Sequence, residues 1–482
     1  MTTVDSAVRA AAASGLERSD RAERAGWLRA IAEALEAHRA ELVGIAHRET
    51  HLSEARLDGE ITRTATQLRF FAGVVEEGSY LEATLDRPDA SLLPPRPDLR
   101  RILRPLGVVA VFAASNFPFA FSVLGNDTAS ALAAGDPVVV KAHPGHPELS
   151  RRTAAIAREA LTAAGGPVDA LVLVEGMDAG IELVRHPLVR AVGFTGSTRG
   201  GRALFDLAAS RAEPIPFYGE LGSINPVVVT PAAAAEDAAG LATGLAGSFT
   251  RDGGQYCTKP GLVFVPRGTG FEAALAAAAA EAPGQRLLTD GMAAAFAEGA
   301  SGIAARADVE LLVDGGGSVE PGVSRPTVVA TDIAAFLADP AGFQEEHFGP
   351  LTLLVRYDDA SPGGELDRAL AVLEGSLTGT VRHAASDDEE LVSRASAALA
   401  RIAGRVLYNG WPTGVAIAWA QHHGGGWPAS TASVHTSVGA SAIRRFLTPV
   451  AYQDAPQAVL PVELRDGNPA GVPRRVDGVL EA

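Results

Sequence analysis

The chain of 482 residues has a single cysteine, Cys257, in the segment Arg251-Asp-Gly-Gly-Gln-Tyr-Cys-Thr-Lys-Pro260. A cysteine is ordinarily a small buried hydrophobe. This one has glycines, polar residues and charge for neighbours, and it follows an apolar run rather than lying within one. A thiolate is a strong nucleophile, and an electropositive, partly open setting favours it. Among 41 basic residues only Lys141 and Lys259 are lysine, and Lys259 closely follows the cysteine. Lysine is a compact point charge where guanidinium is a rigid planar fork. With His143, His347 or His423 as base, the thiol could serve a cofactor-independent hydrolase. One sulfur, and histidines without ligand spacing to a second, exclude a structural zinc site.

Charge and composition narrow the setting. A net charge of −16 disfavours nucleic acid and anionic membranes as partners. The length suggests two or three domains, and 47% hydrophobic residues suit a large core. A lone cysteine rules out an intramolecular disulfide and fits a reducing compartment. The N-terminal residues lack a basic stretch followed by an apolar one, so no signal peptide is expected. The Ala-rich apolar stretches, such as 271–280, are too short to cross a bilayer. A cytoplasmic protein is expected.

The elements that must position Cys257 follow from periodicity. Residues 4–14, 22–49 and 59–75 carry apolar residues at helical spacing. The stretch 81–104, rich in proline and charge, reads as an extended arm or hairpin. Apolar strands at 106–113, 137–141, 170–174 and 189–194 then alternate with helices at 123–134, 148–164, 180–184 and 196–209. That alternation predicts a parallel sheet covered on both faces, with ligands beyond the carboxyl ends of its strands. The residues to inspect are therefore Ser115, Asn116, Lys141, Glu175, Gly176, Thr195, Gly196 and Ser197. A second α/β segment runs from 225 to about 401, with strands near Val227, Leu262, Leu311, Leu351 and Gly379. Glycine, proline and aromatics dominate from 406 onward, as around a site. Apolar alternation at 447–452 and 459–462 suggests a strand for packing on a partner.

Six short motifs occur in order: Ser115-Asn-Phe-Pro118, Val140-Lys-Ala-His143, Phe194-Thr-Gly-Ser197, Gly219-Glu-Leu-Gly222, Gly254-Gln-Tyr-Cys257 and Glu345-Glu-His-Phe-Gly-Pro350. Together they resemble the NAD(P)-dependent aldehyde dehydrogenase superfamily over nearly the whole chain. The resemblance implies a doubly wound Rossmann-type cofactor domain (1–80 and 105–219), an α/β catalytic domain (220–435) and an oligomerisation arm (81–104 and 436–482). It implies Cys257 as nucleophile, Glu220 as general base and Asn116 as oxyanion donor beside the N–H of Cys257. Glu220 also reads as a solvated linker carboxylate, and Asn116 as a turn residue before Phe117-Pro118. For the cofactor the resemblance implies Lys141 at the adenosine ribose, Ser197 at the pyrophosphate and Gly196 close to the nicotinamide end. It places Glu346 on the nicotinamide ribose, with Phe348 beside the ring. Outside the resemblance, Glu346 reads as a surface charge and Phe348 as core.

Longer stretches resemble the α-ketoglutaric semialdehyde (2,5-dioxopentanoate) dehydrogenase branch: Ala113-Ala-Ser-Asn-Phe-Pro-Phe-Ala120, Lys141-Ala-His-Pro144, Glu220-Leu-Gly-Ser-Ile-Asn-Pro226 and Thr436-Ser-Val-Gly439. Pro144 stands where strict NAD users of the family tend to carry a glutamate, so NADP is expected to be accepted alongside NAD, with Arg199 and Arg202 as candidate phosphate ligands. Arg251 occupies the position where semialdehyde dehydrogenases often bind the distal carboxylate, a group well matched by guanidinium; it also reads as a loop arginine paired with Asp252. His422, His423, Trp427 and His435 depart from the usual pattern and would reshape the pocket. The expectation is oxidation of a semialdehyde to a carboxylate with NAD(P), without a metal, by a homodimer or homotetramer. Another aldehyde, or hydrolysis, is the alternative.

Overall fold

A computed structural model describes residues 3–315 and 322–481. The four predicted strands, joined by the unanticipated edge strand Phe217–Glu220, form a five-stranded parallel sheet. Its spatial order is Leu171–Val174, Val138–Lys141, Val108–Phe112, Val189–Thr195, Phe217–Glu220. Strand direction of travel reverses at Val108–Phe112: the chain winds outward one way, then returns to continue on the other side at Val189–Thr195. This is the doubly wound pattern, and the crevice at such a reversal is where ligands bind. All five residues of Val108–Phe112 are buried. Val109 and Val111 enter the core shared with the N-terminal helices, while Val108, Ala110 and Phe112 enter the core on the opposite face. Two apolar faces on one strand require cover on both sides.

A second sheet has seven strands, in the order Glu310–Val313, Thr327–Asp332, Leu351–Tyr357, Leu262–Pro266, Val227–Val229, Ser376–Arg382, Ala403–Tyr408. Only the edge strand Glu310–Val313 is antiparallel to its neighbour. It too alternates between two cores: Leu262 and Phe264 face one, Val263 and Val265 the other. The chain from 422 to 430 crosses between the two large sheets. It bridges Glu220 through Ser430 and Ala403 through Gly425, and the Leu221 N–H donates to the Ala429 carbonyl at 2.8 Å.

The third sheet, Leu447–Gln453, Leu99–Pro105, Thr84–Asp86, Arg474–Val476, Val479–Glu481, joins the expected 81–104 hairpin to the C-terminal segment. Leucines and valines along it stay in water: Leu93 is 99% exposed and Val479 and Leu480 about two-thirds. No helix among the described residues is long and apolar enough to cross a membrane.

Four sequence expectations need correction. The helix predicted over 22–49 is two helices, Arg21–Ala37 and Arg39–Thr50, because the His38 ring binds the Ala34 carbonyl at 2.8 Å and turns the backbone. The strand predicted at 459–462 is a pair of tight turns, Gln457–Val459 and Val462–Leu464, each preceded by proline. The strands Thr327–Asp332 and Ala403–Tyr408 were not anticipated; the first begins just after Pro326, which hides its apolar run. The hairpin Arg474–Val476/Val479–Glu481 was also missed, although Asp477 and Gly478, with φ of 47° and 85°, make the Asp-Gly turn that tight hairpins favour.

Candidate active site

The reversal point of the first sheet opens into a cleft of about 780 Å³ that runs toward the second sheet. Asn116, Gly196, Ser197, Glu220, Cys257, Glu346 and Phe348 all line it. Seven of the nine residues singled out from sequence are thereby brought together; Lys141 and Arg251 are not among the lining residues.

Cys257 lies in a loop pinned from several sides. The turn Arg251–Gly254 ends at Gly254, with φ of 69°, and a Cβ there would sit 2.4 Å from the Gly349 carbonyl carbon, so only glycine lets the loop press against the 349–350 segment. The Asn225 amide donates to the Cys257 and Lys259 carbonyls at 2.8 and 2.9 Å. Lys259, 2% exposed, donates to the His347 and Leu351 carbonyls at 2.6 and 3.0 Å. The second lysine is thus a clasp between the cysteine loop and the Glu346 segment. Burial pushes the Lys259 ammonium down and the Glu346 carboxyl up, and their mutual attraction opposes both shifts.

Glu220 ends the edge strand Phe217–Glu220 and is 5% exposed. Its Oε1 lies 2.9 Å from His423 Nε2, and its Oε2 accepts from the Ser437 hydroxyl at 2.5 Å. Burial favours the protonated acid, but the His423 imidazole and the donors on His423, Ser437 and Cys257 outweigh it and hold the pKa below the usual carboxylate value. A carboxylate only accepts, so Nε2 carries the proton. His423 Nδ1 is buried with no partner among the described residues. The same Nε2 stands 3.6 Å from Cys257 Sγ. Burial, then the charge and hydrogen bond of Glu220, then the charge of Glu346 push the thiol well above its usual pKa, opposed by Arg405. The resting sulfur is a protonated thiol beside an ionised base.

His423 is the central residue that sequence reasoning passed over, naming it only as a hydrolase base or a reshaped pocket. The fold carries it 203 residues along the chain from Glu220 to its side. Its glycine-rich setting, His422-His-Gly-Gly-Gly-Trp-Pro428, was the available signal. Glu220, Cys257 and His423 also offer ligand atoms within 4.8 Å of one another, a metal-like grouping that sequence spacing does not reveal.

Asn116 follows the strand Val108–Phe112, and its amide donates to the Gln255 carbonyl at 3.0 Å, beside the cysteine loop. An amide has two N–H donors, so one is left for the cleft. Arg56 Nη2 donates to the Asn116 carbonyl at 2.6 Å and fixes its backbone.

The crevice side fits an anionic dinucleotide. Ser197 caps the helix Thr198–Ala209, accepting from the Gly200 N–H at 3.2 Å, so the positive end of that helix faces the opening. Lys141 ends its strand in register with Phe112; it is 8% exposed, and its ammonium lies 3.9 Å from the Met177 sulfur. Burial holds its pKa below the ordinary value. An ammonium with no oxygen acceptor among the described residues suits a ligand's hydroxyls or phosphate. Gly222 has the Glu346 carboxylate where a Cβ would stand, 2.6 Å from Oε2. Of the candidate phosphate ligands, Arg202 pairs with Asp206 at 2.8 Å and Arg199 is exposed.

Arg251 is exposed beside Tyr256, its guanidinium carbon 5.9 Å from the ring centre. Asp252 does not pair with it: Asp252 binds Arg56 at 3.3 Å and the Tyr256 hydroxyl at 2.5 Å.

Residues 1–449 match the aldehyde dehydrogenase family. The chain is 46% identical over 466 residues to alpha-ketoglutaric semialdehyde dehydrogenase 2 of Azospirillum brasilense, covering 95% of this chain and 88% of that protein. It is 39% identical over 487 aligned positions to the alpha-ketoglutaric semialdehyde dehydrogenase of Acinetobacter baylyi, covering 99% and 91%. Its fold matches the crystal structure of an NAD-dependent aldehyde dehydrogenase from Sinorhizobium meliloti with a TM-score of 0.78, over 94% of this chain and 87% of that one, at 24% identity. A match over nearly the whole chain, joined to a cysteine, a carboxylate and an amide around one cleft, makes this chain a member of the aldehyde dehydrogenase family.

Proposed function

We propose that the chain oxidises α-ketoglutaric semialdehyde (2,5-dioxopentanoate) to 2-oxoglutarate with NAD(P). The observation that carries this reading is the meeting of Cys257, Glu220 and Asn116 in one cleft with Gly196, Ser197, Glu346 and Phe348. The substrate follows the two curated relatives, both of which bear that name.

The chain's own groups divide the work as follows. Sγ of Cys257 adds to the aldehyde carbon while Glu220 takes the thiol proton, and the remaining Asn116 N–H, with the N–H of Cys257, receives the new oxyanion. A bound nicotinamide supplies a hydride acceptor. A thioester on Cys257 then remains. Glu220, having released its proton to the cleft, takes one from water as that water attacks the thioester; the C–S bond breaks, the acid departs as its carboxylate, and the proton on Glu220 returns to the Cys257 sulfur. Lys141, Ser197, Gly196 and Glu346 hold the cofactor, and Phe348 packs beside its ring. His423 and Ser437 hold Glu220 ionised and aimed at the sulfur. The hydrolase alternative is not favoured: the Nε2 proton of His423 is committed to Glu220, which leaves that nitrogen no lone pair for a thiol proton.

Pro144 leaves room for a 2′-phosphate, so NADP is used as well as NAD. No metal takes part. The exposed Val479 and Leu480 on the arm sheet, with Leu93 in the loop between two of its strands, support a homodimer or homotetramer. Initial rates with the acidic semialdehyde, pentanal and benzaldehyde, each with NAD and NADP, test the reading. It predicts the highest kcat/KM for the acidic semialdehyde; a neutral aldehyde equally well used would overturn the substrate.

A further inference from the structure

Beyond Cys257 the active-site region carries two arginines that the chemistry above does not use. Arg63 lies on the helix Glu54–Glu77, which packs beside the first sheet. Its guanidinium carbon stands 5.4 Å from the centre of the Phe121 ring, and its Nη2 donates to the Val415 carbonyl at 3.2 Å. Its Nη1 is buried and has no hydrogen-bond partner among the described residues. A buried guanidinium N–H group without an acceptor is costly to keep. It is accounted for when the acceptor arrives with a ligand.

The neighbours show which ligand that is. Phe121 lines the cleft, and its ring centre is 6.4 Å from that of His423, whose Nε2 is 3.6 Å from Cys257 Sγ. Phe121 is therefore a neighbour both of Arg63 and of the histidine that flanks the sulfur. Glu60, one turn earlier on the helix, attracts Arg63, but its Oε1 is taken by the Phe119 and Ala120 N–H groups, at 2.8 and 2.9 Å, and its Oε2, like Arg63 Nη1, is buried without a hydrogen-bond partner among the described residues. Arg405 binds the Gly414 and Pro412 carbonyls at 2.9 and 2.8 Å, leaves Nε buried without a partner among the described residues, and acts electrostatically on Cys257. Arg63 and Arg405 are thus two cations within electrostatic reach of Cys257, each with a buried N–H that has no acceptor among the described residues.

We propose that Arg63 Nη1 binds the distal carboxylate of the substrate, with Arg405 adding to the positive field, so that acid-tail recognition comes from the Glu54–Glu77 helix rather than from Arg251. The inference rests on the semialdehyde reading above. With C–C bonds of about 1.5 Å, a five-carbon chain spans roughly 5 Å from aldehyde to carboxylate carbon.

The test compares wild type, Arg63→Gln, Arg63→Lys and Arg251→Gln on the acidic semialdehyde and on pentanal, with glutarate as an unreactive competitor. Loss of one charge-assisted pair predicts that Arg63→Gln raises KM for the semialdehyde, and Ki for glutarate, by roughly 30-fold. Pentanal is affected far less, and Arg63→Lys lies between. NADP binding by each variant shows that it is folded. Equal losses for pentanal, or a selective loss in Arg251→Gln instead, overturn the assignment to Arg63. If wild type itself does not prefer the acidic aldehyde, the substrate reading fails; if wild type prefers it and Arg63→Gln keeps that preference, only the Arg63 assignment fails.

Discussion

Replacing His423 with alanine removes the N–H that holds Glu220 Oε1 at 2.9 Å. The pair is sealed from water, with His423 0% and Glu220 5% exposed. Burial alone would raise the Glu220 pKa, and the His423 imidazole is the first of the groups that hold it down. A hydrogen bond to a charged group contributes about 1.5–3 kcal/mol. At 1.36 kcal/mol per pKa unit, its loss raises the pH at which Glu220 ionises by roughly 1–2. Glu220 must be ionised to draw a proton from the attacking water, so the acid limb of kcat moves upward by the same amount. On the acid side of the shifted limb, thioester hydrolysis becomes the slow step. Stopped-flow absorbance of the reduced cofactor then shows a burst at pH 6 that wild type lacks, while the rates converge at high pH. His423→Gln, whose amide N–H can reach the same oxygen, recovers most of the wild-type profile. An alanine variant with an unmoved acid limb and no burst would refute the positioning role.

The Cys257 thiol is held above its ordinary pKa by burial first, then by Glu220 and Glu346. Alkylation of the free enzyme by iodoacetamide should be slow at neutral pH and still climbing above the usual thiol range of about 8.5, and Glu220→Gln should move the rise to lower pH; an ordinary thiol profile in both proteins contradicts this. Arg445 Nη1 lies 2.7 Å from Asp127 Oδ1, with the side chains 3% and 11% exposed, and ties the C-terminal segment to the helix Asn126–Ala134. Arg445→Ala leaves that carboxylate buried and unpaired, and should cost about 3–5 kcal/mol in urea unfolding; a loss under about 0.5 kcal/mol, the ordinary size for a surface substitution, contradicts it. Pro144→Glu should lower kcat/KM for NADP at least about tenfold relative to NAD, since juxtaposed like charges cost several kcal/mol; an unchanged ratio removes Pro144 from coenzyme choice.

Much of this molecule was legible from its sequence because apolar runs buried on both faces have few folded alternatives. Val108–Phe112 and Leu262–Pro266 are of that kind, and each sits centrally in its sheet. What was hidden depends on distant pairing. Thr327–Asp332 is held as a strand between Glu310–Val313 and Leu351–Tyr357, neither adjacent to it in sequence. The 422–430 crossing runs as it does because Ser430 and Gly425 meet the edges of two different sheets. The same distinction holds at the site. Cys257 was conspicuous by its type and setting. His423 and Arg63 were not, since a histidine among glycines and an arginine at helical spacing show their use only when the fold sets one against Glu220 and the other against Phe121. Arg251, singled out by its place in the chain, lies exposed beside Tyr256 and is not among the residues that line the cleft.

The central claim is covalent: the aldehyde carbon is carried on Cys257 and released by Glu220. The most direct measurement is intact-protein and peptide mass after acid quench of Glu220→Gln mixed with the acidic semialdehyde and NADP. The account predicts about one acyl adduct per chain, on the peptide bearing Cys257, formed together with one reduced cofactor and absent from Cys257→Ser. Steady turnover by Cys257→Ser, or cofactor reduction in Glu220→Gln with no mass gained at Cys257, would contradict it.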